Sequence, residues 1–127
     1  MLAYHMFCAE DGDRARTLAR EPVNHYLRSL VEAASGWMQG TSSNDYPGYD
    51  KVIAALAQED FDTQVEKCAA WVGTPQRILE TVASYREQIG DFEIASLQVN
   101  FNDIELADAT ASMRLFGEKV LPRLPRL

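Results

Sequence analysis

Three polar side chains, Ser96, Gln98 and Asn100, recur at every second position of the run Phe92 to Phe101. Side chains of a strand point alternately to its two faces, so these three share a face with Ile94. The opposite face, Ala95, Leu97, Val99 and Phe101, is wholly apolar. One hydroxyl and two amides in a row offer both donors and acceptors to a carbonyl or hydroxyl group of a ligand. The polar positions lie toward the C-terminal end of the strand, which is where parallel α/β folds bind ligands. Ser96, Gln98 and Asn100 are therefore the substrate-binding candidates. The competing reading is that they satisfy one another or bound water.

The second candidate is Gly73-Thr74-Pro75. A helix N-terminus leaves backbone N–H groups free and carries the positive end of the dipole, so Gly73 and Thr74 could hold the phosphate of a cofactor. Pro75 removes one donor and no second glycine follows. An ordinary helix start is the better reading, with Thr74 as cap and Pro75 at the first helical position.

The other reactive residue types point to structure. His5 and Cys8 are three apart on an apolar run, so on a strand they face opposite ways and form no Cys–His pair. His25 lies beside Tyr26 on a helical pattern and reads as solvated or packed. Glu10, Asp11 and Asp13 lack the loop of a cation site, which favours helix capping. Glu59, Asp60 and Asp62 read as a solvated helix start. No metal ligands and no catalytic residues are assigned. Trp37, Tyr46 and Tyr49 surround a turn-rich stretch and could form a lid over an apolar substrate, although ordinary packing is the simpler account.

The elements that must position these groups follow from periodicity. Leu2 to Ala9 reads as a buried strand, ended by Glu10-Asp11-Gly12-Asp13. A partner for one of its edges has to come from later in the chain or from another chain. Asp13 can cap a helix with a short stripe of Ala15, Leu18 and Ala19. Pro22 predicts a kink or restart, after which Val23, Tyr26, Leu27, Leu30, Val31 and Ala34 follow at helical spacing. Residues 39–48 read as a loop. Tyr49 to Ala57 and Phe61 to Ala70 read as helices, and Trp71-Val72 as a very short strand. Ile78, Leu79, Val82, Tyr85 and Ile89 stripe a helix that stops at Gly90. The last helix, about Ile104 to Val120, carries Leu106, Ala109, Met113, Phe116 and Val120. Residues 123–127 form a tail. Strands alternating with helices in this way predict an α/β fold with a parallel sheet, in one domain over residues 1–127.

Composition narrows the function classes. The 127 residues are enough for one domain with a core. The net charge of −7 argues against binding nucleic acid or an anionic membrane surface, both of which need a surplus of Lys and Arg. No apolar run approaches the roughly 20 residues that span a bilayer. The N-terminus lacks the positive flank and cleavage site of a signal peptide. Cys8 and Cys68 lie 60 positions apart without a CxxC spacing. They read as two free buried thiols in a cytoplasmic protein.

An ordered set of segments carries a family resemblance. These are Phe7-Cys8-Ala9-Glu10-Asp11 with Ala15-Arg16, then Arg20-Glu21-Pro22 with Tyr26-Leu27-Arg28-Ser29, then Val72-Gly73-Thr74-Pro75, and finally Ser112 through Pro122. Together they resemble the C-terminal part of the bacterial luciferase-like, flavin-dependent monooxygenases, in particular the branch found in natural-product biosynthesis. Members of that family are (β/α)8 barrels. The resemblance implies a C-terminal slice of such a barrel, with about three parallel strands and five or six helices. The strands would be the last three of the barrel: Leu2–Ala9, Trp71–Val72 and Phe92–Phe101. It further implies FMN, or a deazaflavin, as cofactor, with this chain closing the barrel and forming one wall of the flavin and substrate pocket. The first five β/α units, which in the family carry most flavin contacts and catalytic groups, have no counterpart here. A homo-oligomer or a complementing chain with the missing strands is the implied partner. The alternative is a non-catalytic relative that serves as a self-associating binding or assembly module.

Overall fold

The computed structural model describes residues 2–38 and 47–126. In chain order these form β1 (Leu2–Cys8), α1 (Gly12–Met38), α2 (Tyr49–Leu56), α3 (Phe61–Glu66), β2 (Ala70–Gly73), α4 (Pro75–Ile89), β3 (Ala95–Gln98), α5 (Leu106–Lys119) and a closing 3-10 helix (Leu121–Arg126). The three strands make one parallel sheet of order β2-β1-β3. The expected partner for the second edge of β1 therefore comes from later in the chain. Consecutive strands of a closed barrel lie side by side. Here β3 lies beside β1 instead of β2.

β1 is buried on both faces, as its nearly continuous apolar sequence requires. On one face, Tyr4, Met6 and Cys8 pack with Trp71 of β2, with Ile78, Leu79, Val82 and Tyr85 of α4, and with Phe116 and Val120. Tyr4 stacks on Trp71 with ring centroids 4.5 Å apart and meets Tyr85 edge-on at 5.2 Å. On the other face, Phe7 packs with Ala15, Ala19, Val23 and Leu27 of α1, Phe61 of α3, Val72, and Phe101 and Ile104 beyond β3. Helices thus cover both sides of the central strand.

Local chemistry sets the helix boundaries. Asp11 caps α1: its Oδ1 accepts from the N–H groups of Asp13 and Arg14 at 2.9 and 3.0 Å. The expected cap, Asp13, lies instead inside the first turn, because the helix begins at Gly12. The expected break at Pro22 is also absent, and α1 runs through it. Pro22 is buried between Ala19 and Val23, both fully buried in the core. Packing on either side outweighs the one intrahelical bond that proline removes. Asp60 caps α3 in a reciprocal box with Thr63. Asp62 pairs with Arg16 and Arg20, whose guanidinium groups lie over the Phe61 ring and tie α3 to α1.

The expected strand Phe92 to Phe101 contracts to Ala95–Gln98. Those four residues pair with Leu2 to His5 of β1. Beyond them the chain turns away, with Asn102 at φ 67°. Ala95, Leu97 and Val99 stay with the Tyr4 face, as the alternation predicts, whereas Phe101 crosses to the Phe7 face. Four residues expected in buried stripes, Leu30, Ile89, Leu106 and Met113, are exposed. Ile89 and Leu106 end and begin their helices, and Met113 yields its place to Ser112, one position round the helix. The loop expected at 39–48 falls largely outside the described residues. Residues of the expected tail form the closing 3-10 helix.

Candidate functional site

The C-terminal ends of the parallel strands meet at Cys8 and Gly73, which are paired in register. The Gly73 carbonyl accepts from the Ala9 N–H at 3.1 Å, so the two strand ends are tied as the chain leaves the sheet. Gly73 has φ +147°, and a Cβ there would stand 3.1 Å from Cγ and 3.2 Å from Cβ of Arg77. The position needs glycine on both counts. Thr74 follows as the cap of α4: its Oγ1 accepts from the Arg77 N–H at 3.2 Å. Its hydroxyl oxygen is thus used in starting the helix. Pro75 has no N–H, which leaves that of Gln76 as the free donor of the first turn.

Two hollows open at this end of the sheet and share Glu10. One, of about 430 Å³, is lined by Glu10, Thr74, Pro75, Gln76, Glu118, Lys119 and Arg123. Arg123 Nη2 donates to Gln76 Oε1 at 3.3 Å, which holds the guanidinium beside the start of α4. The other, of about 360 Å³, lies between the end of β1 and α5, with Phe7, Cys8 and Leu115 inside and Asp11, Arg14 and Asp108 at the rim. An Arg14–Asp108 ion pair of 2.9 Å closes part of that rim.

α5 is fixed to β1 by Ser112, which is fully buried. The Cys8 N–H donates to Ser112 Oγ at 2.8 Å, and the hydroxyl lies 3.7 Å from Met6 Sδ. The signal for Ser112 was present in the sequence: 109, 112, 116 and 120 form a helical stripe as good as the one through Met113.

The three predicted substrate-binding residues are not brought together. Ser96 and Asn100 are exposed. Gln98 is half-buried, and its Nε2 donates to the Tyr26 hydroxyl at 3.2 Å. Gln98 lies in register with His5. His5 is buried between Tyr26 and Phe101, which meet it edge-on with centroids 4.8 and 4.9 Å away. Its Nε2 has no hydrogen-bond partner among the described residues. Nearby, Asn102 Nδ2 lies 2.7 Å from His25 Nδ1 and donates to Asp103 Oδ1 at 2.9 Å. The lid residues cannot be followed as a group, because Tyr46 and the Trp37 side chain lie outside the described residues.

The buried titratable groups are kept neutral. Burial lowers the His5 pKa to about 4. Burial first, and then the Glu10 charge, push the Cys8 thiol up to about 12. A neutral thiol is a poor nucleophile and an imidazole with so low a pKa is a weak base. His5 and Cys8 face opposite sides of β1, as their spacing predicts, and both serve as packing. Among the described residues, no group of three or more His, Cys, Asp or Glu side chains could hold a metal ion, and no helix is long and apolar enough to cross a membrane.

The fold has a counterpart among solved structures. The chain is similar to the crystal structure of the monooxygenase RslO1 from Streptomyces bottropensis, with 28% sequence identity and a TM-score of 0.58. The match covers 95% of this chain and 30% of that one. The chain thus corresponds to less than a third of the monooxygenase it matches. No protein-family model matches the chain, and no curated protein matches it.

Proposed function

We propose that this chain is the C-terminal portion of a flavin-dependent, luciferase-like monooxygenase, contributing barrel closure and one wall of the flavin and substrate pocket. The observation that carries this reading is the likeness to a monooxygenase over 95% of the chain. The ordered segments from Phe7 to Pro122 that resemble the luciferase-like family support it.

The residues at the strand ends suit the phosphate end of FMN. The free Gln76 N–H, the start of the α4 dipole, Lys119 and Arg123 all border the 430 Å³ hollow beside Thr74. Gly73 allows the close turn, and Thr74 keeps the helix start in place. Glu10 and Glu118 on the same rim oppose an anion, so the balance rests on the two cations. When bound, a flavin supplies the redox chemistry with oxygen, and the protein positions it and excludes water. The role of this chain is to hold the phosphate; Ser96 and Asn100 are exposed and open to the ring or substrate, whereas Gln98 is held by the Tyr26 hydroxyl. A second chain with the remaining barrel strands, or further copies of this one, would complete the pocket.

One observation favours the alternative of a non-catalytic, self-associating module. Both edges of β1 are paired within the chain, and helices cover both its faces. β3 therefore occupies the edge that a preceding barrel strand would take. The experiment that separates the readings is a flavin titration of the purified protein, alone and together with a chain supplying the missing strands, followed in the visible absorbance bands. Retained colour in either sample supports the monooxygenase reading. Colourless protein in both, with self-association by light scattering, supports the module.

A further inference from the structure

A third hollow lies beside β3, and Leu121 and Leu124 of the closing 3-10 helix help to line it. It has a volume of about 270 Å³ and lies where the Tyr4 face of the core is left incompletely covered. Its floor and walls are Trp71, Phe92, Leu97 and Phe116, with Arg86 and Glu93 as its charged members. Phe92 sits in an aromatic group, 6.3 Å from Trp71 and 5.9 Å from Tyr85 between ring centroids. β3 pairs with the first residues of β1, which sets Leu97 beside Tyr4.

Arg86 supplies the polar observation. Its guanidinium carbon lies 5.8 Å from the centre of the Phe92 ring. Its Nε is buried and makes no hydrogen bond to the described residues, although it forms an ion pair with Asp91, whose carboxylate oxygen lies 3.0 Å away. Asp91 is almost fully exposed, so solvent competes for it. A guanidinium has five N–H donors in a planar fork suited to a carboxylate, and none of Arg86's is used in a hydrogen bond to a described residue. An apolar hollow of about 150 Å³ is enough for benzene, so this one has room for a two-ring system.

We propose that this hollow binds a planar aromatic carboxylate, with its rings between Phe92, Leu97 and Phe116 and its carboxylate on Arg86. Glu93 on the same rim disfavours a second acidic group on the ligand, and the ligand's carboxylate must displace Asp91 from Arg86. The site is independent of the flavin reading.

The probe is 2-naphthoate, with 2-methylnaphthalene as its neutral counterpart. The chain has two tryptophans, so Trp37→Phe leaves Trp71 as the reporter. Saturable quenching of Trp71 fluorescence by 2-naphthoate is expected. Arg86→Gln should weaken 2-naphthoate about tenfold, as loss of a charged hydrogen bond implies, and leave 2-methylnaphthalene within about twofold. Ala95→Phe, which fills the hollow from β3, should abolish binding of both, with an unchanged far-UV circular dichroism spectrum. Non-saturable quenching, equal effects of Arg86→Gln on both probes, or binding that survives in folded Ala95→Phe protein would each overturn the proposal.

Discussion

The backbone N–H of Cys8 donates a 2.8 Å hydrogen bond to the hydroxyl of Ser112, across 104 positions of sequence. Cys8 is the last residue of the central strand and Ser112 lies midway along the last helix, so this bond fixes α5 over the strand ends. Both residues are buried, and water cannot replace the bond. Removing the acceptor leaves an unsatisfied donor in the core.

Ser112→Ala should therefore destabilise the fold by about 1–3 kcal/mol, the penalty for a buried unpaired N–H. Urea unfolding followed by circular dichroism measures it. Met113→Ala, one position round the helix and exposed, serves as the control and should change stability by less than about 0.5 kcal/mol. Equal losses in the two variants would contradict the role of Ser112.

The start of α4 makes a second prediction. Thr74→Ala removes the acceptor for the Arg77 N–H and should lower stability by about 1 kcal/mol, whereas Thr74→Ser should be close to neutral. Gly73→Ala should lose about 1–3 kcal/mol, because its backbone is in a region disfavoured for alanine and the new Cβ meets Arg77. Thermal melts of the three variants order them: serine above alanine at 74, with both substitutions at 74 above Gly73→Ala.

The pH dependence follows from His5. Burial lowers its pKa from the ordinary 6.5 to about 4, so between those values the unfolded chain binds a proton that the folded chain does not. Stability is then lost as pH falls through that window. Tyr26, Phe101 and Gln98 face His5, so no neighbouring carboxylate among them offsets its charge. The urea midpoint of the native sequence should drop between pH 6.5 and 4 more steeply than that of His5→Phe. Parallel curves for the two proteins would contradict a buried neutral imidazole. Glu59 and Asp62 act in a lower range. Hydrogen bonds from Lys67 and Arg20, respectively, hold their pKa values down, so their contributions are lost only as pH falls further.

The parts of the fold that local chemistry determines were legible in the sequence. Leu2 to Cys8 is apolar throughout because both of its faces are buried. Thr74-Pro75 and Gly90 bracket α4 because capping and the positive φ of Gly90 are properties of a few adjacent residues. What escaped depends on distant partners. Nothing local shows that a run as regular as Phe92 to Phe101 is a strand for only four residues. The limit comes from β1, which pairs with four of them and no more. Likewise, Pro22 reads as a break until Ala19 and Val23 are seen packed on either side of it. Gln98 was correctly placed on the more polar face of its strand, but its pairing with Tyr26, 72 positions away, has no trace in the spacing. Ser96 and Asn100 alternate with it in sequence and remain in solvent.

If this chain forms the phosphate-holding wall of a flavin site, as proposed, FMN and riboflavin should bind it differently. The two ligands share the ring and differ in the phosphate. The chain, alone or completed by one carrying the remaining barrel strands, should quench FMN fluorescence at lower concentration than riboflavin fluorescence, and Arg123→Ala with Lys119→Ala should erase the difference. Equal binding of the two flavins, or binding of neither in any pairing, would contradict it.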